Sequence, residues 1–267
     1  MILLPCLAAF LSAPLSAQTH LLGVKVSDGK TAYVQTVKLP QGGQANVVGP
    51  VVGKDGSRRD MIVNVLLGGS DLSYQLELSQ GRGAAGQVIQ AQGQLSIRPG
   101  GGLTVVECGR WRIDLSLDAA GKSPAAWDAS GSANVRVSAE LSRGREKVLC
   151  RQVLRPGSQG NVVDGRTQGG RKLGFIMNIL PAVTPRGAVE LQYQLEYTRP
   201  GAPSGSFQVQ NQETLAFGRR TSSESSGYRL DLLVEGAAPR ASGAGAGPAQ
   251  RNAPEPAEEK KAVPLLR

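Results

Sequence analysis

Three short patterns carry residues of the kinds that do chemistry. GRGAAG (81–86) spells the G-x-G-x-x-G fingerprint, in which backbone N–H groups at a helix start receive a pyrophosphate. It follows one extended stretch, YQLELSQ (74–80), and precedes another, QVIQAQGQL (87–95), so it reads as a hairpin loop. SDGK (27–30) has the S-x-x-K spacing that lets a lysine activate a serine at a helix start. Here Asp28 and Gly29 mark a tight turn between short strands instead. The single histidine, His20, lies just beyond an N-terminal apolar run, where a mobile end is expected. Without a C-x-x-C or a histidine cluster there is no zinc signature. Glu77 and Glu196 could in principle form a two-carboxylate site. Each, however, alternates with glutamines, the pattern of a wetted sheet surface or of a docking face common to two domains. The chain reads as non-enzymatic and without a cofactor.

The elements that would position these residues come in two sets. YQLEL (74–78) returns as YQLEY (193–197), and other pairs follow in the same order. Asn46-Val47-Val48 meets Asn161-Val162-Val163, and RRDMIVNVL (58–66) meets RKLGFIMNIL (171–180). QAQGQL (90–95) meets QNQETL (210–215), and WRIDL (111–115) meets YRLDL (228–232). This is an internal duplication of about 100 residues, too long a period for a solenoid and right for tandem domains. Within each copy the pattern has period two. Val189, Leu191, Tyr193, Leu195 and Tyr197 alternate with Glu190, Gln192, Gln194 and Glu196. Successive strand side chains point to opposite faces, so one face is buried and one is wet. The fold class expected is all-β: two tandem, duplicated, antiparallel sandwich-like domains.

The apolar run at the N-terminus is about 15 residues, too short to span a bilayer, and small residues close it at Ala17. Residues 1–17 therefore read as a signal peptide, although no basic residue precedes the run. Pro5 stands where a lipobox would need a small residue before Cys6. The first domain is expected over 18–120, a linker over 121–132, the second domain over 133–236 and a disordered tail over 237–267. No membrane-spanning segment is expected in the exported chain. Its two remaining cysteines, Cys108 and Cys150, suit a disulfide across a loop of about 40 residues, with two free thiols as the alternative.

Net charge is +9, and most of the excess falls in the second copy. Arg143, Arg145 and Lys147 precede one strand, and Arg219 and Arg220 sit in a late turn, a candidate basic patch for an anionic surface. Nucleic acid is not expected, because neither interleaved aromatics nor a basic helix is present. Where the first copy turns with LGGSD (67–71), the second has PAVTPRG (181–187). That makes Pro181, Thr184, Pro185 and Arg186 a candidate interaction loop.

The run GRKLGFIMNILPAVTPRGAVELQYQLEY (170–197) resembles the hairpin region of the bacterial secretin module. In that family a glycine and an apolar strand lead to a proline, a glycine turn and an alternating strand. The first copy has Leu66 and Leu67 at the proline step. The resemblance implies an exported periplasmic or extracellular protein related to secretion or pilus machinery. The function expected is a non-catalytic interaction or assembly module with a protein partner in the bacterial envelope, met through sheet edges or loops. The alternative is a glycan- or small-ligand-binding domain using the polar sheet face.

Overall fold

The computed structural model describes residues 18–80, 86–118, 134–168, 171–199 and 206–236. The leader at 1–17, most of the GRGAAG loop, the linker at 121–132 and the tail at 237–267 lie outside the described residues. The first copy forms β1 (Thr19–Ser27), β2 (Ala32–Pro40), β3 (Gln44–Val52), β4 (Arg58–Gly68), β5 (Asp71–Gln80), β6 (Gln87–Ser96), β7 (Gly102–Cys108) and β8 (Trp111–Leu117). The second forms β9 (Val135–Arg143), β10 (Glu146–Leu154), β11 (Gly160–Gln168), β12 (Arg171–Val183), β13 (Ala188–Thr198), β14 (Ser206–Ala216), β15 (Arg220–Ser225) and β16 (Tyr228–Gly236). The described chain is all-β.

These strands make two antiparallel sheets of eight, in the orders β15-β16-β9-β10-β7-β8-β1-β2 and β14-β13-β12-β11-β6-β5-β4-β3. They face each other as a sandwich, and one apolar core fills the space between them. Period two does the work: Leu72, Tyr74, Leu76 and Leu78 point inward from β5, and Val189, Leu191, Tyr193 and Leu195 from β13. Trp111, Tyr33 and Phe175 are the bulkiest fully buried side chains.

Each copy gives four strands to each sheet, in the same order, so the two copies are halves of one sandwich joined edge to edge. Sequence boundaries mark the copies but not this continuity. Alternation fixes which face of a strand is buried and leaves open which strand lies beside it. At the joint β10 pairs with β7 and β11 with β6. Cys150 stands opposite Cys108, and the two are bonded as a disulfide, so the bridge links the copies. Beside it Arg151 donates to Glu107 at 3.1 Å. Gln152, wholly buried, donates to the Tyr74 hydroxyl at 3.1 Å and to the Gln92 carbonyl at 2.7 Å. Arg155 pairs with Asp71 at the near rim. Gly93 lets the copies approach, since a Cβ there would stand 2.5 Å from the Leu154 methyl.

Registers correct one match made by sequence. Tyr74 pairs with Gly93 and Tyr193 with Asn211, so Gly93 answers to Asn211, two residues away from the QAQGQL–QNQETL alignment. Every neighbouring pair is antiparallel, so strand direction alternates across each sheet. In consequence β1 begins at the same rim at which β16 ends.

Candidate binding face

The outward side of the β3–β6/β11–β14 sheet carries a pattern that only pairing reveals. One cross-strand row runs Asn46, Asn64, Gln75, Gln92 through the first copy, then Asn161, Asn178, Gln194, Gln210 through the second. Every strand of the sheet contributes an amide, in the order Asn-Asn-Gln-Gln twice. The row two residues along reads Val48, Ile62, Glu77, Gln90 and then Val163, Ile176, Glu196, Gln208. It too repeats without change.

The inward side of the same sheet repeats only in part: Val47, Tyr74 and Leu76 return as Val162, Tyr193 and Leu195, but other positions differ. Val63 answers to Met177, Val65 to Ile179, Leu78 to Tyr197 and Ile89 to Phe207. Core positions tolerate volume-conserving exchange, and wetted positions ordinarily tolerate nearly anything. Here two wetted rows have held every residue, while the core beneath them has held only some. The outer face of the other sheet has no row that repeats entire: Ser27, Arg112, Glu107 and Asp114 return as Ser142, Arg229, Glu224 and Asp231, but Lys25 answers to Glu140 and Thr36 to Arg151.

The amides bond partly among themselves, as amide ladders do. Asn64 donates to Gln75 at 3.4 Å, and Asn161 to Asn178. Gln90 donates to Glu77 at 2.8 Å, and Gln208 to Glu196 at 3.3 Å. The Asn64 carbonyl oxygen is enclosed yet has no protein partner. Equivalent depressions open on the row in each copy. One, of 430 Å³, is lined by Gln44, Asn64, Gln75 and Gln92, and the other, of 680 Å³, by Gln159, Asn178, Gln194 and Gln210. Beneath them burial pushes the Tyr74 hydroxyl far up in pKa and that of Tyr193 up to about 12. Amides do not titrate and these phenols stay neutral, so the amide row itself exchanges hydrogen bonds only, with the Glu77 and Glu196 carboxylates in the row beside it.

The residues singled out by sequence lie elsewhere. The turn after β12 is shorter than PAVTPRG suggested, because β12 runs on to Val183 and Pro181 pairs with Leu191 inside the sheet. Thr184 closes the turn by accepting from Gly187, and Pro185 and Arg186 are left exposed at its tip. Arg143, Arg145 and Lys147 surround the β9–β10 turn, whereas Arg219 and Arg220 enter β15 toward the other rim. Through Leu233, Arg220 is level with Ser138, five residues or about 17 Å along β9 from Arg143. The basic residues therefore form no single patch. Arg143 stacks over Tyr228 at 4.9 Å, Lys147 pairs with Glu140 at 2.9 Å and Arg220 lies 3.6 Å from Asp231.

His20 is not at a mobile end. It is 1% exposed in β1, with Nδ1 2.5 Å from Asp118 and Nε2 3.1 Å from the Gln41 side-chain oxygen. The strand reaches back to Thr19 because Pro40 pairs with it. Asp28 accepts from the Lys30 and Thr31 amides at 3.1 and 2.9 Å, so SDGK is a turn. Gln80 pairs with Gln87, which makes the strands flanking GRGAAG a hairpin.

Among the described residues no group of three or more histidine, cysteine, aspartate or glutamate side chains could hold a metal ion. No helix among them is long and apolar enough to cross a membrane. Comparison with family models, curated proteins and solved structures found no match. The amide row was missed by sequence reasoning. Its signal was present in the doubled Asn-Val-Val and Tyr-Gln-Leu-Glu, but only cross-strand register aligns the eight amides.

Proposed function

We propose that this chain is a non-catalytic binding module of the bacterial envelope, exported and folded outside the cytoplasm. Its docking surface is the outer face of the β3–β6/β11–β14 sheet. One observation carries the reading: two adjacent outward rows keep every residue in both copies, while the packed side beneath them keeps only some. Two rows held constant through duplication offer one set of contacts twice, four strand spacings or about 19 Å apart. A partner protein with hydrogen-bond donors and small apolar side chains suits a row of amides beside a row holding Val48, Ile62 and Glu77, and again Val163, Ile176 and Glu196. The secretin-like hairpin supports seeking that partner in secretion or pilus machinery.

The test is affinity capture from envelope extracts with wild type, Gln75→Arg, Gln194→Arg and the double variant as bait. A partner that weakens with each single change and vanishes with both is the expected result. A partner retained at full yield by the double variant would sink the proposal. A second reading is favoured by the two amide-lined depressions, which suit the hydroxyls of a neutral glycan. Thermal stabilisation by neutral cell-wall oligosaccharides, lost in the double variant, is its signature.

A further inference from the structure

The joint inside the chain is heterologous. The β10/β11 edge of the second copy meets the β7/β6 edge of the first. A head-to-tail joint between two copies leaves the same two edge types unpaired at the ends, among the described residues. One end of the sandwich is β2 and β3, the counterparts of β10 and β11. The other is β15 and β14, the counterparts of β7 and β6.

We propose that one molecule adds to the next end to end, the β2/β3 edge of one copy of this chain pairing with the β15/β14 edge of another in the register of the internal joint. The internal pairs Asn161–Gln92 and Val163–Gln90 become Asn46–Gln210 and Val48–Gln208, the same residue types in each case. Both outward rows then run on unbroken from molecule to molecule. Exposure points the same way. Among the described residues, three of the five exposed large apolar side chains lie on this end: Val34 at 59%, Val48 at 67% and Val52 at 65%. Val163, the counterpart of Val48, is only half-exposed because β6 lies beside it. A second copy would cover Val48 as β6 covers Val163.

The ends also differ from the joint, which sets the strength of the contact. The disulfide pair becomes Gln35 opposite Ser225, and Arg151–Glu107 becomes Thr36 opposite Glu224. Pro50 stands where Gly165 pairs with Val88, and it has no N–H for an added strand. The association is accordingly reversible, where the internal joint is locked. It is independent of which partner occupies the sheet face.

The register supplies the experiment. In a Cys6→Ser background, Gln35→Cys with Ser225→Cys recreates the Cys150–Cys108 pair between molecules. The two positions lie on the opposite edge strands of one sheet, about 34 Å apart, so they cannot meet within one chain. Mild oxidation should give a ladder of covalent multiples on a non-reducing gel. Thr36→Cys with Ser225→Cys, whose first side chain points to the other face, should not. Sedimentation of the unmodified chain should show mass rising with concentration, with the midpoint moved at least tenfold upward by Val48→Lys, an exposed change that spares the fold. No ladder beyond dimer, an equal ladder from the off-register pair, or a mass constant at one protomer across the concentration range would each overturn the proposal.

Discussion

Arg59 is a buried cation of the first copy. It is 7% exposed, lies 5.2 Å from the centre of the Tyr33 ring and 5.3 Å from that of Trp111, and donates to the Tyr33 hydroxyl at 2.8 Å. Its Nη1 is enclosed without a partner, so the ion is stacked but incompletely bonded. Arg59→Ala should cost about 3 kcal/mol in urea unfolding, while Arg59→Met, which keeps the stem and removes the desolvated charge, should cost much less. Asp164 behaves oppositely to a surface carboxylate. Burial raises its pKa from 3.8, against the pull of the Trp111 N–H 3.0 Å away and of Arg110 and Arg166. The folded state then loses stability as pH climbs from 3.8 through the raised value. Asp164→Asn keeps an acceptor for Trp111, so its melting temperature relative to wild type should be higher at pH 7 than at pH 3. A difference unchanged with pH would contradict this. Neither residue was legible in sequence, where Arg59 was one letter of a repeat and Asp164 carried no signal of its own. The hydrogen-bond partners named for them lie 26 and 53 residues away along the chain.

Strands were the legible elements. Alternation named β5, β8 and β13 with the correct buried face, because a side chain's face follows from local parity alone. Pairing was not legible, because hydrogen bonding across strands uses backbone groups every residue shares. The disulfide shows the division: the even cysteine count suggested the Cys108–Cys150 bridge that is present, and only pairing shows that it ties β7 of one copy to adjacent β10 of the other. Changing both cysteines to serine should cost about 4 kcal/mol, with amide exchange quickening first in β7 and β10. Gly174 in β12 is a second element-scale constraint. Its φ is 134°, and a Cβ would sit 1.9 Å from the Asp164 carbonyl oxygen. Gly174→Ala should therefore cost about 3 kcal/mol or more, read as a drop in the urea midpoint.

For the whole molecule, shared sheets predict shared unfolding. Two domains on a string would melt in two steps. A sandwich whose sheets and core run through both copies should show one calorimetric transition with matching calorimetric and van't Hoff enthalpies. Two resolved transitions would mean that the joint is weak. The candidate face also belongs to this scale. Each copy's amides looked like ordinary wetted strand residues in sequence, and only the assembled sheet lines them up.

The common rim of the first and last strands has a mechanical corollary. A tether on β1 and another on β16 would pull from the same side, across the strands and not along them. Hydrogen bonds loaded in that direction fail one at a time, like a zip, instead of resisting together. Stretched between its two ends, this molecule should come apart at low force despite the bridge at its middle.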